Sequence, residues 1–168
     1  MTIREKYYNW AQFIPSNIAV NTAKLGPIGN LKAAGTFGSI AGLLFFTVFL
    51  YNTTTFSLIL SCAILAYIAI GVCDRAEICL DQKDPNCIIL DEFVAMPICF
   101  IGINISTQSN VWILMILAFA FFRFFDIIKP LGIKNLQNLE GGLGCVADDI
   151  AAAIATCMLL HIYLMCST

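Results

Sequence analysis

Three stretches of this chain carry no charged side chain: residues 33–73, 93–122 and 150–168. A helix crossing the hydrocarbon core of a bilayer needs about 20 apolar residues, so each gap has room for one or two crossings. Polar but uncharged breaks, Asn52-Thr53-Thr54-Thr55 and Ser106-Thr107-Gln108-Ser109-Asn110, divide the first two gaps. The spacing predicts apolar segments near 38–52, 56–73, 93–106, 111–128 and 147–166. The breaks then become the tight outer turns of helical hairpins. Segment 93–106 is short and contains Pro97, so a partial or tilted span is expected there. The fold class is all-α: a polytopic membrane protein of about four to five transmembrane helices. Composition agrees, because 60% of residues are hydrophobic and only 12% charged, about half the charged share of a soluble domain.

The same gaps set the topology. A charge at the centre of a membrane helix costs roughly 2.5–3.5 kcal/mol, so the charge-bearing stretches 1–37, 74–92 and 127–146 belong on one side. They hold eight of the nine Lys and Arg, and the ninth, Arg123, lies just before 127–146; the positive-inside bias makes that side cytoplasmic. Residues 1–34 read as an N-terminal interfacial or cytoplasmic segment, with Tyr7, Tyr8, Trp10 and Phe13 beside Arg4 and Lys6. Residues 35–168 read as the helical membrane domain. No apolar run of a cleavable signal peptide follows Arg4 and Lys6. A net charge of −2 with no basic stripe excludes a nucleic-acid partner. The eight cysteines form no C-x-x-C pair, and several lie in apolar runs, so free thiols are expected.

Four motifs fall on the charged side. Gly35-Thr36-Phe37-Gly38-Ser39 opens an apolar helix, where free backbone N–H groups and hydroxyls suit an anion; capping by Thr36 or Ser39 is the plainer reading. Asp91-Glu92 begins the third segment, where carboxylates favour a helix N-terminus and where a hard cation such as Mg2+ selects paired acids. Arg123, Asp126 and Lys129 step by three along a helix that Pro130 ends, giving a polar stripe on an apolar segment. Glu140-Gly141-Gly142-Leu143-Gly144 leads into Asp148-Asp149 at the start of the last helix. Its glycines permit close approach to a ligand, and its acid pair is costly at a membrane boundary unless paired or metal-bound. Carboxylates for a divalent cation beside Arg, Lys, Thr and Ser for phosphate suit phosphoryl chemistry. His161 falls towards the outer end of the final helix, which argues against a histidine nucleophile. Aspartyl-phosphatase, G-x-S-x-G and Walker A motifs are absent.

In this order and spacing, these motifs, with Asp84-Pro85, Phe93, Phe122 and Pro130, resemble the bacterial phosphatidylglycerophosphatase A family over residues 25–160. The resemblance implies a Mg2+-dependent enzyme of the bacterial inner membrane, acting from the cytoplasmic face. It would hydrolyse phosphatidylglycerophosphate to phosphatidylglycerol and inorganic phosphate. Asn86 stands where the family commonly has Gly after Asp-Pro, a change that left-handed turn geometry tolerates. Residues and resemblance together assign Asp91, Glu92, Asp148 and Asp149 to the metal. Asp126 is a further ligand or the base that activates water, and Asp149 is counted with it among the catalytic groups. Arg123 and Lys129 hold the phosphate, aided by Thr36, Gly38 and Ser39. Direct attack by water is preferred over a covalent aspartyl intermediate. The expected partners are a phospholipid substrate and membrane lipids, and a homo-oligomer is compatible with the sequence. The rival readings are a phosphatase of another lipid phosphate, a small ion transporter and a non-catalytic membrane subunit. A CDP-alcohol phosphotransferase is disfavoured because its long signature is absent.

Overall fold

A computed structural model describes residues 8–108, 110–130 and 132–167. Arg4, Lys6 and Tyr7 of the N-terminal stretch, Ser109 of the second polar turn and Thr168 lie outside the described residues. Among those described, the regular structure is helical and contains no strand. Helix α1 spans Ser16–Ala23 and α2 spans Ala34–Phe45, the latter continuing as a π-helical turn to Leu50. Helices α3 (Thr55–Leu80), α4 (Leu90–Ala95), α5 (Val111–Ile128) and α6 (Gly142–Ser167) follow. Three of these, α3, α5 and α6, are long and apolar enough to cross a membrane. Large apolar side chains such as Leu44, Phe56, Ile64, Ile116 and Met158 stay exposed on the outside of the bundle. A soluble protein would hide such a belt; lipid covers it here. This is an all-α membrane protein.

The short third segment is broken. Pro97 lacks an N–H and its ring obstructs an α-helix, so α4 stops at Ala95. A 3-10 stretch, Met96–Phe100, carries the chain on, and Gly102 turns it with φ +80°. At about 2.0 Å per residue, a 3-10 helix covers more length than an α-helix of equal residue count. Residues 94–100 are all buried, packed against α2, α3, α5 and α6. Irregular backbone at membrane depth is tolerable when protein surrounds it. Phe100 stacks on Phe46 with ring centroids 4.2 Å apart, inside a core that also holds Leu114, Phe122 and Leu160.

Two helices run past the boundaries that charge sets in the sequence. Helix α3 continues to Leu80, keeping Asp74, Arg75 and Glu77 helical, and α6 begins at Gly142 rather than near 147. Both extensions are held by contacts across the bundle. The Gly142 N–H donates to Asp74 Oδ1 (3.2 Å), which satisfies a donor at the open start of α6. The Asp84 N–H donates to Glu77 Oε1 (2.7 Å). The N-terminal segment packs against the same end. Ala19 and Ala23 are fully buried, with α1 against α3, and the Ile89 N–H donates to the Ala23 carbonyl (2.9 Å). Trp10 covers Gly71 and donates its indole N–H to the Tyr67 hydroxyl (3.0 Å). Phe13 is left 81% exposed, as a residue at an interface would be.

Candidate active site

Helix ends and connecting segments meet at the charged end of the bundle around a cavity of about 430 Å³. Each brings its groups by local geometry. Asp91 and Glu92 sit in the first turn of α4, where the macrodipole favours negative charge. On α6, Cys145 and Asp149 are four residues apart and share a face, whereas Asp148 points about 100° away. Arg123 and Asp126 lie in the last turns of α5. Lys129 closes that helix in a left-handed conformation (φ 47°) just before Pro130. The first turn of α2 contributes Ala34 and Gly35. The loop before α4 contributes Asp84, itself left-handed at φ 47°. The left-handed position therefore falls on Asp84, and Asn86 simply lines the cavity.

Ligand oxygens of Asp91, Glu92 and Asp149 lie within 4.8 Å of one another. A second group shares Asp91: its carboxylate, that of Asp84 and the Cys145 thiol also lie within 4.8 Å. Cys145 Sγ is 2.7 Å from Asp91 Oδ2, and Gln137 Nε2 donates to Asp84 Oδ2 (2.9 Å). Oxygen ligands of an octahedral Mg2+ lie about 2.9–4.2 Å apart, from metal–oxygen bonds near 2.1 Å. The first group is close to that spacing and offers the hard donors such an ion takes. Glu92 Oε2 is buried with no hydrogen-bond partner among the described residues. An orphaned carboxylate oxygen beside two other acids is what a cation would satisfy. The residues fit a divalent metal.

The cations line the facing side. Arg123 Nη1 donates to Asp126 Oδ2 (2.6 Å), reaches Ser39 Oγ at 3.4 Å and lies 3.8 Å from Glu92 Oε1. Lys129 Nζ pairs with Asp148 Oδ2 and lies 3.8 Å from Asp126 Oδ1. Burial pulls the Lys129 ammonium towards neutrality, but the hydrogen bond and charge of Asp148 outweigh it and the net shift is upward. Lys129 is therefore a fixed positive charge.

Of the residues singled out in the sequence, Asp91, Glu92, Arg123, Asp126, Lys129, Asp148 and Asp149 line this one cavity. Asp148 turns to Lys129, while Asp149 joins Asp91 and Glu92. Thr36 and Gly38 are not among the lining residues. Gly38 packs against the Ile89 backbone, and Ser39 is buried, donating to the Gly35 carbonyl (2.9 Å) and facing Arg123. Gly142 and Gly144 also face protein rather than the cavity: a Cβ on Gly142 would strike the Ile70 carbonyl of α3, and one on Gly144 the Leu139 carbonyl. The sequence names the Asp84-Pro85 dipeptide but assigns no site role to Asp84, Gln137 or Cys145. The i, i+4 spacing to Asp149 marks Cys145, and the Asp84-Pro85 dipeptide marks Asp84; nothing local marks Gln137. His161 sits away from the cavity, near Gly102, with Nδ1 2.9 Å from the Cys157 carbonyl.

Fold and site together define a polytopic membrane enzyme of the phosphatase class. A model of the phosphatidylglycerophosphatase A family matches residues 21–164, and the chain belongs to that family. It is 36% identical over 124 residues to a phosphatidylglycerophosphatase A of Haemophilus influenzae, covering 73% of each chain. With the Escherichia coli protein of the same name it shares 28% identity over 130 residues, 76% of this chain and 72% of that one. A Bacteroides thetaiotaomicron relative, provisionally named a phosphatidylinositol-3-phosphatase, is 31% identical over 137 residues, 82% of this chain and 81% of its own. No solved structure matches the chain.

Proposed function

We propose that the chain is a Mg2+-dependent phosphatase that converts phosphatidylglycerophosphate to phosphatidylglycerol and inorganic phosphate. It would act in a bacterial inner membrane, with the charged end facing the cytoplasm. The observation that carries this reading is the single cavity in which the Asp91, Glu92 and Asp149 carboxylates face Arg123 and Lys129. Asp91, Glu92 and Asp149 would hold the cation, while Asp148 fixes the Lys129 ammonium beside it. When bound, the cation supplies charge neutralisation for the phosphoryl group. Arg123 and Lys129 orient the phosphate from the opposite side, and Ser39 keeps the guanidinium in place. The N-terminus of α2 at Ala34 and Gly35 adds the positive end of a helix dipole, with Thr36 in the same turn. Water attacks phosphorus, the ester P–O bond breaks, and the glycerol oxygen leaves as the alcohol. The water proton goes to Asp126 Oδ1, the oxygen that Arg123 does not occupy, and that carboxyl returns a proton to the departing glycerol oxygen.

A second reading keeps the chemistry and changes the headgroup to a phosphoinositide, favoured by the name of the Bacteroides relative. Purified protein assayed on phosphatidylglycerophosphate and phosphatidylinositol 3-phosphate, each with Mg2+ or with EDTA, separates the two. Phosphate release from the former alone, lost in EDTA, is expected. Release that persists in EDTA would end the metal-dependent reading.

A further inference from the structure

We infer that Gly35 is a positioning residue of the cation site, because the space its missing side chain leaves is the space the Glu92 carboxylate occupies. The inference rests on Asp91, Glu92 and Asp149 being the cation ligands. A Cβ on Gly35 would collide with Glu92 Oε1 and come within 3.2 Å of Arg123 Nη1. Two atoms of these neighbours, Glu92 Oε2 and Arg123 Nε, are buried without partners among the described residues. Gly35 thus abuts the place where a ligand would complete both side chains.

The other glycines of α2 behave differently. A Cβ on Gly38 would meet the Ile89 carbonyl at 2.9 Å, and one on Gly42 the Phe93 carbonyl at 2.5 Å. Those obstacles are backbone, so substitution there moves helices. At Gly35 the obstacle is the far end of a flexible side chain, which can swing aside without moving a helix. Gly35 is also helical, and Ala is the better helix former. Gly35→Ala should therefore leave the fold intact and displace the Glu92 carboxylate from Asp91 and Asp149.

The test uses the full chain in detergent, with Mn2+ as the probe and free Mn2+ read by electron paramagnetic resonance. Gly35→Ala should raise the Mn2+ Kd by about tenfold or more, the scale seen when a ligand loses its support. Its metal-free melting temperature should match or exceed the parent's. Glu92→Asp, whose shorter side chain withdraws from the added methyl, also weakens binding by itself. The double variant should bind no worse than Glu92→Asp alone, because the methyl then has nothing to displace. Parent-like Mn2+ binding by Gly35→Ala overturns the inference, as does a double variant that loses the product of both single factors. A parent chain that binds no Mn2+ overturns the cation reading itself, and this inference with it.

Discussion

Both ends of this bundle are polar, but they are built differently. At the end formed by residues 51–55 and 102–108, hydrogen bonds close within a turn. Thr54 Oγ1 accepts from the Ser57 N–H at 3.2 Å, Thr53 donates to the Leu50 carbonyl at 2.7 Å, and Ser106 donates to the Asn104 side chain at 2.8 Å. At the cavity end they span the chain: Arg123 reaches Ser39, Gln137 reaches Asp84, Lys129 reaches Asp148 and Gly142 reaches Asp74. The first end needs only to stop helices at a water boundary, and uncharged hydroxyls suffice. The second gathers charge from several segments, and beyond the Arg123–Asp126 pair within α5 its charged side chains find their partners on other segments. A network of that kind fails when one member is lost.

The sharpest way to break this comparison is Asp149→Asn. The change keeps side-chain shape but removes one carboxylate from the group it forms with Asp91 and Glu92. Phosphate release should fall by about a hundredfold or more, with membrane insertion and yield unchanged. Asp148→Asn should also lose most turnover, by a different route, since it strands Lys129. Near-normal turnover in both variants would remove the charged end from the chemistry.

The difference between the ends also explains what was legible in the sequence. Charge is too costly in lipid to be misplaced, so the gaps after Lys32, Glu92 and Asp149 disclose the membrane class and which residues share an end. The broken third segment was half legible through Pro97, but its passage inside the protein depends on the helices around it. Neighbouring Asp148 and Asp149 are indistinguishable in one dimension; a 100° step on α6 sends one to Lys129 and the other to the carboxylate group. The glycines of 141–144 suggest a ligand loop, yet Gly142 is required by the approach of α3. Gln137 and Trp10 were illegible because their partners, Asp84 and Tyr67, are supplied by long-range packing alone.

An intermediate effect is expected at Lys129. Asp148 is only 1% exposed and relies on the Lys129 ammonium. Lys129→Met should lower stability by about 3 kcal/mol, near the lower end for breaking a buried pair, because Lys129 keeps 18% side-chain exposure. It should also weaken phosphate binding, seen as a raised KM. Adding Asp148→Asn should restore much of the melting temperature in detergent without restoring turnover. Recovery of both would make the pair a purely structural strut and shift phosphate binding to Arg123.

The smallest effect should come from Asn104→Ala, and its position makes it the strictest control. Asn104 is exposed, and its side chain accepts only from the neighbouring Ser106 hydroxyl among the described contacts. Loss of that bond should change stability by no more than about 0.5 kcal/mol, with kcat and KM unchanged. Yet the same buried segment that ends near Asn104 begins with Asp91 and Glu92 in the cavity. If the broken passage transmitted displacement along its length, this is where a distant substitution would reach the carboxylates. A severalfold fall in kcat at unchanged stability would mean that the locally bonded end helps set the geometry of the other. Unchanged kinetics would mean that the packing around Met96–Phe100 isolates the two ends, leaving the long-range network at the cavity as the part that chemistry depends on.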